Sequence, residues 1–275
     1  MDIKGKNAVV TGAASGIGRA IVSALAQAGI GGIVIADIDE AGARQDTDEL
    51  RARGVKAAFC RCDVTSENEV AALADFAWEE FGEVDLLFSN AGVTAPGDPF
   101  SATESDTRWE FDVNVFGAIH CCRIFGRRFM ASGAKRWICI TASHNSLGAP
   151  YPDVAGYVAT KHAVLGYADA LRSQFGEKLG LSVLCPGPIN TRVWDAGRSR
   201  PAKFGGPVAG NPANEEYLRV YGMQPDRVGE MAVNGVSREE FIILTHPEDL
   251  ALARKRYEEV RAAVQRQFPN FSLPS

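Results

Sequence analysis

The sequence has no block of like charge, and acidic and basic residues are interspersed to give a net charge of -5 over 275 residues. This balance argues against a nucleic-acid-binding surface. One uncharged run, residues 20–36, is too short to cross a membrane, and its glycines divide it into a helix and a strand. The first residues lack the layout of a signal peptide. We therefore expect a soluble, cytoplasmic protein that binds neither nucleic acid nor membranes.

The sequence also lacks a C-x-x-C pair and has only four histidines. Its six cysteines have no histidine partners at metal-ligand spacing, so we expect no metal site. Reduced thiols packed in a cytosolic core are the favoured interpretation over zinc ligands or disulfides. The cysteines are Cys60, Cys62, Cys121, Cys122, Cys139 and Cys185.

Short β-rich runs alternate with longer amphipathic ones, which is typical of a parallel sheet with helices on both faces. The length suits one α/β domain covering residues 1–275. The predicted fold is a doubly wound parallel sheet in three αβα layers. Strands are predicted at 8–11, 33–36, 57–60, 84–88, 136–140, 181–185 and 241–244, and helices at 17–28, 157–175 and 247–268.

The alternation stops between residues 191 and 225, where glycine and proline punctuate a stretch without clear periodicity. Long irregular segments inside a compact domain are usually functional or disordered. Because this one follows the sixth predicted strand, we expect a lid over the substrate.

Gly12, Gly16 and Gly18 follow the first predicted strand and open a helix. Such glycines allow a tight turn, close approach of a pyrophosphate and tight packing of helix on strand. The helix N-terminus, with Ser15 and Ile17 in the turn, offers N–H groups to phosphates. The spacing is G-x-x-x-G-x-G rather than the standard G-x-G-x-x-G, and a glycine turn can be purely structural.

Asp37 ends the second predicted strand, 19 positions after Gly18, close to the position of a ribose-binding carboxylate. A carboxylate there would accept from both ribose hydroxyls and repel a 2′-phosphate. Ile38 follows, and Arg44 is the nearest candidate cation, so the sequence favours NAD over NADP. The alternative is that Asp37 caps the next helix.

Tyr157 and Lys161 lie four residues apart in a predicted helix and therefore share one face. A free tyrosine has a pKa of about 10, and a neighbouring ammonium favours the phenolate. The pair can thus exchange a proton with a substrate. Ser143, directly after the fifth predicted strand, could hold the substrate oxygen; Ser146 is the alternative hydroxyl.

These motifs occur in one order and on consistent elements, and together they resemble the short-chain dehydrogenase/reductase family in its single-domain branch. The resemblance covers roughly residues 5 to 250 and implies a Rossmann fold and NAD-dependent oxidoreduction of alcohols. The matching positions are residues 11–18, Asn90-Ala91-Gly92, Asn114, Ser143, Tyr157, Lys161 and Pro186-Gly187.

The resemblance implies a role for each matching residue. Tyr157 would exchange the proton, Lys161 would lower its pKa and bind the nicotinamide ribose, and Ser143 would fix the substrate oxygen. Asn114 would interrupt its helix and hold a water that leads protons from Lys161 to solvent. The implied cofactor contacts also include Asp63 and Val64 at the adenine, Asn90, Ala91 and Gly92 on the adenosine side, and Pro186, Gly187, Ile189 and Thr191 at the nicotinamide.

The function predicted from these residues is an NAD-dependent interconversion of a secondary alcohol and a ketone. Tyr151 and Trp194 flank the expected substrate space and would suit a bulky or aromatic small molecule, although Trp194 could equally pack the lid. The alternative function is a non-catalytic NAD-binding sensor or scaffold. The family and the apolar faces of the Tyr157 helix further predict a homotetramer or homodimer.

Overall fold

The computed structural model describes residues 1–95, 99–148 and 154–272. In these parts of the chain, seven parallel strands form one sheet in the order β3-β2-β1-β4-β5-β6-β7. The strands are β1 (Asn7–Thr11), β2 (Gly32–Asp37), β3 (Ala57–Arg61), β4 (Leu86–Ser89), β5 (Arg136–Thr141), β6 (Leu179–Cys185) and β7 (Ile242–Leu244).

Helices cover the sheet and connect its strands. They are α1 (Gly16–Gln27), α2 (Glu40–Ala52), α3 (Glu67–Phe81), α4 (Glu104–Phe111), α5 (Gly117–Ala131), α6 (Ala155–Phe175), α7 (Pro212–Tyr221), α8 (Pro225–Ser237) and α9 (Leu250–Gln267). Among the described residues, no helix is long and apolar enough to cross a membrane.

The two faces of the sheet carry separate hydrophobic cores. Val9 packs into one core with Leu87 and Ile138, whereas its neighbour Val10 packs into the other with Phe88. Both faces of the central strands are therefore buried, which explains their continuous apolar sequences. The prediction of a doubly wound parallel sheet with this succession of strands is confirmed.

The segment 191–225 has more regular structure than its sequence indicates. It contains 3-10 helices at Arg192–Ser199 and Ala202–Phe204, followed by α7. Asn211 caps α7 through its side chain, and Pro212 occupies the first turn, where the missing N–H costs no hydrogen bond. These helices are too short to give a periodic pattern, and for this reason the sequence predicted an irregular segment.

The strand order reverses between β1 and β4, and the crevice at their carboxyl ends is where open α/β sheets bind ligands. Asn90 connects the three strand ends at this point. Its side chain donates to the carbonyl of Thr11 at 3.1 Å and accepts from the hydroxyl of Thr141 at 3.1 Å. The carboxyl ends of β1, β4 and β5 are thus held together at the edge of the crevice.

Candidate active site

The glycine turn after β1 has the shape required for a phosphate. Gly12 has a φ of +63°, and a Cβ there would lie 2.8 Å from the Cα of Ala91. A Cβ on Gly18 would lie 2.0 Å from the carbonyl oxygen of Gly12, so α1 packs directly on the turn. Ser15 is the N-cap of α1 but makes no side-chain capping bond. The helix N-terminus therefore keeps N–H groups for an anion, which fits a dinucleotide pyrophosphate.

Asp37 ends β2 beside this turn. Its carboxylate accepts from the main-chain N–H of Ala14 at 2.8 Å and from that of Asp39 at 2.9 Å. Burial raises the pKa of Asp37, and these two hydrogen bonds oppose the rise. The N-cap of α2 is Asp39 rather than Asp37, so the capping alternative is wrong. Arg44 pairs with Glu40 on its own helix at 2.7 Å.

A cavity of about 290 Å³ lies along the carboxyl edge of the sheet. Every predicted cofactor-binding residue except Gly18 contributes to its walls, and Gly18 supports the turn from behind. The predicted residues in the walls are Gly12, Ser15, Gly16, Ile17, Asp37, Ile38, Asp63, Val64, Asn90, Ala91, Gly92, Tyr157, Lys161, Pro186, Gly187, Ile189 and Thr191.

Tyr157 lies in the wall of this cavity, and Ser143, which is not among the lining residues, is hydrogen-bonded to it. Ser143 follows β5 in extended conformation, and Tyr157 lies in the first turn of α6. Burial raises the pKa of Tyr157 to about 12, while a hydrogen bond from Ser143 lowers it. At neutral pH the phenol is therefore protonated, with a second hydroxyl beside it. Two hydroxyls side by side suit the binding of one carbonyl or alcohol oxygen.

Lys161 lies one turn further along α6. Its side chain is only 3% exposed, and its ammonium donates to the carbonyl of Thr141 at 2.9 Å. Burial lowers the pKa of Lys161 to about 8. Its Nζ is 5.6 Å from the centre of the Tyr157 ring. The sequence predicted that this ammonium brings the phenol into the working range, but here burial of Tyr157 has the larger effect and raises its pKa.

Asn114 interrupts the helical layer as expected. Residues 112–116 form a π-helix between α4 and α5, a local distortion often found at functional sites. The Asn114 side chain accepts from Val93 N–H at 2.8 Å and donates to Thr160 Oγ1 at 3.0 Å. Asn114 thus ties the loop after β4 to α6 between Tyr157 and Lys161.

The structure also distinguishes between the sequence alternatives. The Ser146 hydroxyl donates to the main-chain carbonyl of Ser143, whereas the Ser143 hydroxyl contacts Tyr157, which favours Ser143 as the oxygen-binding serine. Trp194 packs on Gly210 within the segment 191–225, where a Cβ on the glycine would lie 2.7 Å from the indole. This favours the packing role for Trp194. Tyr151 lies outside the described residues.

Three residues of this region were not predicted from the sequence. The main-chain carbonyl of Thr141 accepts from the ammonium of Lys161. Its position at the carboxyl end of β5, where such sheets bind ligands, could have predicted a place in the site. Glu110 is 4% exposed, and burial raises its pKa to about 7. It accepts from the main-chain N–H of Ala95 at 2.8 Å. Arg198 reaches the cavity from the segment 191–225. Neither charged residue had a sequence signal, because isolated charges usually lie on solvated faces.

A family model described as short chain dehydrogenase matches residues 6–201, about seven-tenths of the chain. The chain belongs to the short-chain dehydrogenase family. The match includes the glycine turn, Ser143, Tyr157 and Lys161, so the resemblance predicted from these motifs is confirmed.

Proteins similar to this short-chain dehydrogenase are oxidoreductases. A 1-deoxy-11-beta-hydroxypentalenate dehydrogenase of Streptomyces avermitilis is 39% identical over 196 residues, covering 70% of this chain and 71% of the relative. A 7alpha-hydroxysteroid dehydrogenase of Escherichia coli K12 is 34% identical over 192 residues, covering 69% and 73%. A short-chain dehydrogenase/reductase from Burkholderia phymatum, solved in complex with NAD, is 35% identical with a TM-score of 0.88 over 100% of both chains. This chain is accordingly an oxidoreductase acting between alcohol and ketone.

Proposed function

We propose that this short-chain dehydrogenase is an NAD-dependent enzyme that interconverts a bulky or aromatic secondary alcohol and its ketone, with Tyr157 as general acid and base. The observation that carries the proposal is that Tyr157 and Lys161 lie in the wall of the same cavity as the glycine turn, with Ser143 hydrogen-bonded to Tyr157. A bound nicotinamide would exchange the hydride with the carbinol carbon.

The residues of the chain would divide the remaining work. Ser143 and Tyr157 would bind the substrate oxygen together, which fixes the carbinol carbon for hydride exchange. In ketone reduction the protonated phenol of Tyr157 would donate its proton to that oxygen. In alcohol oxidation the phenolate would accept the proton, and the ammonium of Lys161 would favour this form. Asn114 would hold the water that exchanges protons between Lys161 and solvent.

Asp37 supports NAD as the cofactor, because its carboxylate lies where the adenosine ribose is expected and repels a 2′-phosphate. A bulky substrate is supported by the apolar side chains of Val93, Trp109 and Val113 in the cavity wall. It is also supported by the names of two relatives, which denote a hydroxysteroid and a hydroxypentalenate as substrates. In this proposal residues 191–225 are the lid over the substrate, within a single domain of residues 1–275.

The proposal is tested with a panel of secondary alcohols and NAD, monitored for formation of NADH. Aryl carbinols and hydroxysteroids should be oxidised faster than small polyols. Binding of NAD without turnover of any member, in both directions, would favour the alternative function, a non-catalytic NAD-binding sensor or scaffold. Faster oxidation of the polyols would contradict the bulky substrate class and leave the chemistry intact.

A further inference from the structure

Basic side chains of the segment 191–225 cross the adenosine half of the cavity. The segment starts directly on the glycine turn, since a Cβ on Gly16 would lie 3.2 Å from Thr191 Cγ2. Further along, Arg198 lies in the same cavity wall as Ser15, Gly16 and Asp37. The segment therefore covers the expected cofactor phosphates as well as the substrate end.

The segment is fixed in place beyond Arg198. Arg200 is 6% exposed, forms an ion pair with Asp106 and donates to Ser105 Oγ at 3.0 Å. Lys203 donates to Thr65 Oγ1 at 2.8 Å and lies 3.3 Å from Asp63, which belongs to the cavity wall. Because these contacts of Arg200 and Lys203 join the segment to the body of the domain, the backbone close to Arg198 is fixed beside the cavity.

Arg198 differs from the other arginines of the segment in its partners. Arg192, Arg200 and Arg219 each pair with a carboxylate. Arg198 instead donates through Nη1 to the main-chain carbonyls of Arg192 at 3.1 Å and Asp195 at 2.9 Å. In the part of the chain that the structure describes, no carboxylate lies within 4 Å of its guanidinium.

The surroundings of Arg198 favour an anionic ligand. Burial lowers the pKa of Arg198, and the nearby charge of Arg192 lowers it further, while Asp195, Asp39 and Asp37 act in the opposite direction. A guanidinium remains protonated throughout the physiological range. A half-buried cation without a carboxylate partner is stabilised by any anion that reaches its remaining N–H groups.

We infer that Arg198 binds the pyrophosphate of the dinucleotide from the face opposite the glycine turn. This inference rests on the proposed function only in requiring that a dinucleotide occupies the cavity. The pyrophosphate is favoured over a 2′-phosphate for two reasons. The uncapped N-terminus of α1 faces the same space, and the carboxylates of Asp37 and Asp39 beside the ribose site would repel a 2′-phosphate.

The test measures dissociation constants by calorimetry for NAD, ADP-ribose, adenosine and NADP. Arg198→Met keeps an unbranched apolar side chain and removes the charge and the donors of the guanidinium. It should weaken binding of NAD and ADP-ribose by about tenfold or more, the effect expected for one charge-assisted hydrogen-bonding group. Adenosine, which has no phosphate, should bind unchanged and so show that the variant is folded. Arg198→Lys should recover part of the affinity.

Arg219→Met is the matched control, because it removes the same charge from an arginine of α7 that is paired with Glu216 on the surface. Equal affinity of both methionine variants for NAD and ADP-ribose would overturn the inference. A larger loss for NADP than for NAD would also overturn it and assign Arg198 to a 2′-phosphate. Loss of dinucleotide affinity in Arg198→Met, together with no turnover of any alcohol by the wild type, would support the inference while contradicting the proposed function.

Discussion

Lys161 Nζ lies 5.6 Å from the centre of the Tyr157 ring and donates to the carbonyl of Thr141 at 2.9 Å. Lys161 is buried and Tyr157 is partly buried, with a pKa of about 12 for the phenol and about 8 for the ammonium. At neutral pH the tyrosine therefore carries its proton, and most of the lysine is charged. In the proposed mechanism this state would reduce a ketone, whereas alcohol oxidation would require the phenolate.

The rate of alcohol oxidation should consequently rise with pH. If the phenolate is the base, kcat/KM should increase about tenfold per pH unit below the pKa of Tyr157 in the free enzyme. Ketone reduction, which uses the phenol, should stay nearly constant up to pH 10, because the pKa of Tyr157 is about 12. Initial rates in both directions between pH 6 and pH 10 test this. A rate of oxidation that falls across this range would contradict the assignment of Tyr157 as the base.

NAD should be preferred over NADP by a wide margin in kcat/KM, because the carboxylate of Asp37 would repel the 2′-phosphate. Asp37→Asn removes the charge and keeps one of the two oxygens that accept from Ala14 and Asp39, so it should narrow the preference. Asp48→Asn, an exposed change on α2, is the control and should leave it unaltered. Equal kcat/KM for the two cofactors in the wild type would show that a cation reaches the ribose.

Glu110 should make the protein less stable as pH rises. Its pKa of about 7 is above its ordinary value of 4.5, so the native state binds the proton more tightly than the unfolded state. The stability present below pH 4.5 is therefore lost progressively as pH rises to 7 and beyond. The difference between these pKa values corresponds to roughly 3 kcal/mol in the free energy of unfolding.

Glu110→Gln removes this titration and keeps an acceptor for Ala95. Its melting temperature, relative to that of the wild type, should be higher at pH 8 than at pH 5. Glu104→Gln, on the exposed face of α4, should show no such difference between the two pH values. An identical relative melting temperature of Glu110→Gln at pH 5 and pH 8 would mean that the burial of Glu110 has no energetic consequence.

The protein should form a homotetramer or homodimer built largely on α6 and the helical region near residues 107–131. Ala159, Ala163 and Gly166 are exposed along one side of α6, and Phe116, which lies directly before α5, is 50% exposed. Small residues let a partner helix approach closely, and apolar surface favours burial. Light scattering at micromolar concentration should give a multiple of 29.5 kDa, and Ala163→Glu should lower it. A monomeric wild type would refute this prediction.

Much of this architecture could be predicted from the sequence, because parallel strands buried on both faces appear as short apolar runs separated by amphipathic helices. Val9 and Val10 illustrate this, since each belongs to a different core. The predicted ends of strands and helices were less accurate. The strand β6 begins at Leu179 rather than at 181, and a 3-10 turn precedes α9. Hydrogen bonds between strands and caps at helix ends determine these boundaries, and hydrophobic periodicity does not encode them.

The site was predicted wherever its residues follow a strand or share a helix face, as Asp37 and the pair Tyr157 and Lys161 do. Residues brought in by tertiary packing were missed. Glu110 is buried because α4 packs beside the start of α6, where a Cβ on Gly156 would lie 2.3 Å from the Glu110 carboxylate. Arg198 reaches the cavity because the segment 191–225 folds back across it. Neither arrangement leaves a periodic signal in the sequence.

The central claim is that the Tyr157 hydroxyl exchanges the proton, and the most direct measurement is the turnover of Tyr157→Phe with its affinity for NAD. The phenylalanine ring keeps the packing of Tyr157 but has no proton to exchange. We expect kcat to fall by about a thousandfold, within the range of general acid–base catalysis, while the dissociation constant for NAD stays within about twofold of the wild type because the contacts to the pyrophosphate and the adenosine ribose are untouched. Retention of more than a small fraction of the wild-type kcat would contradict the account.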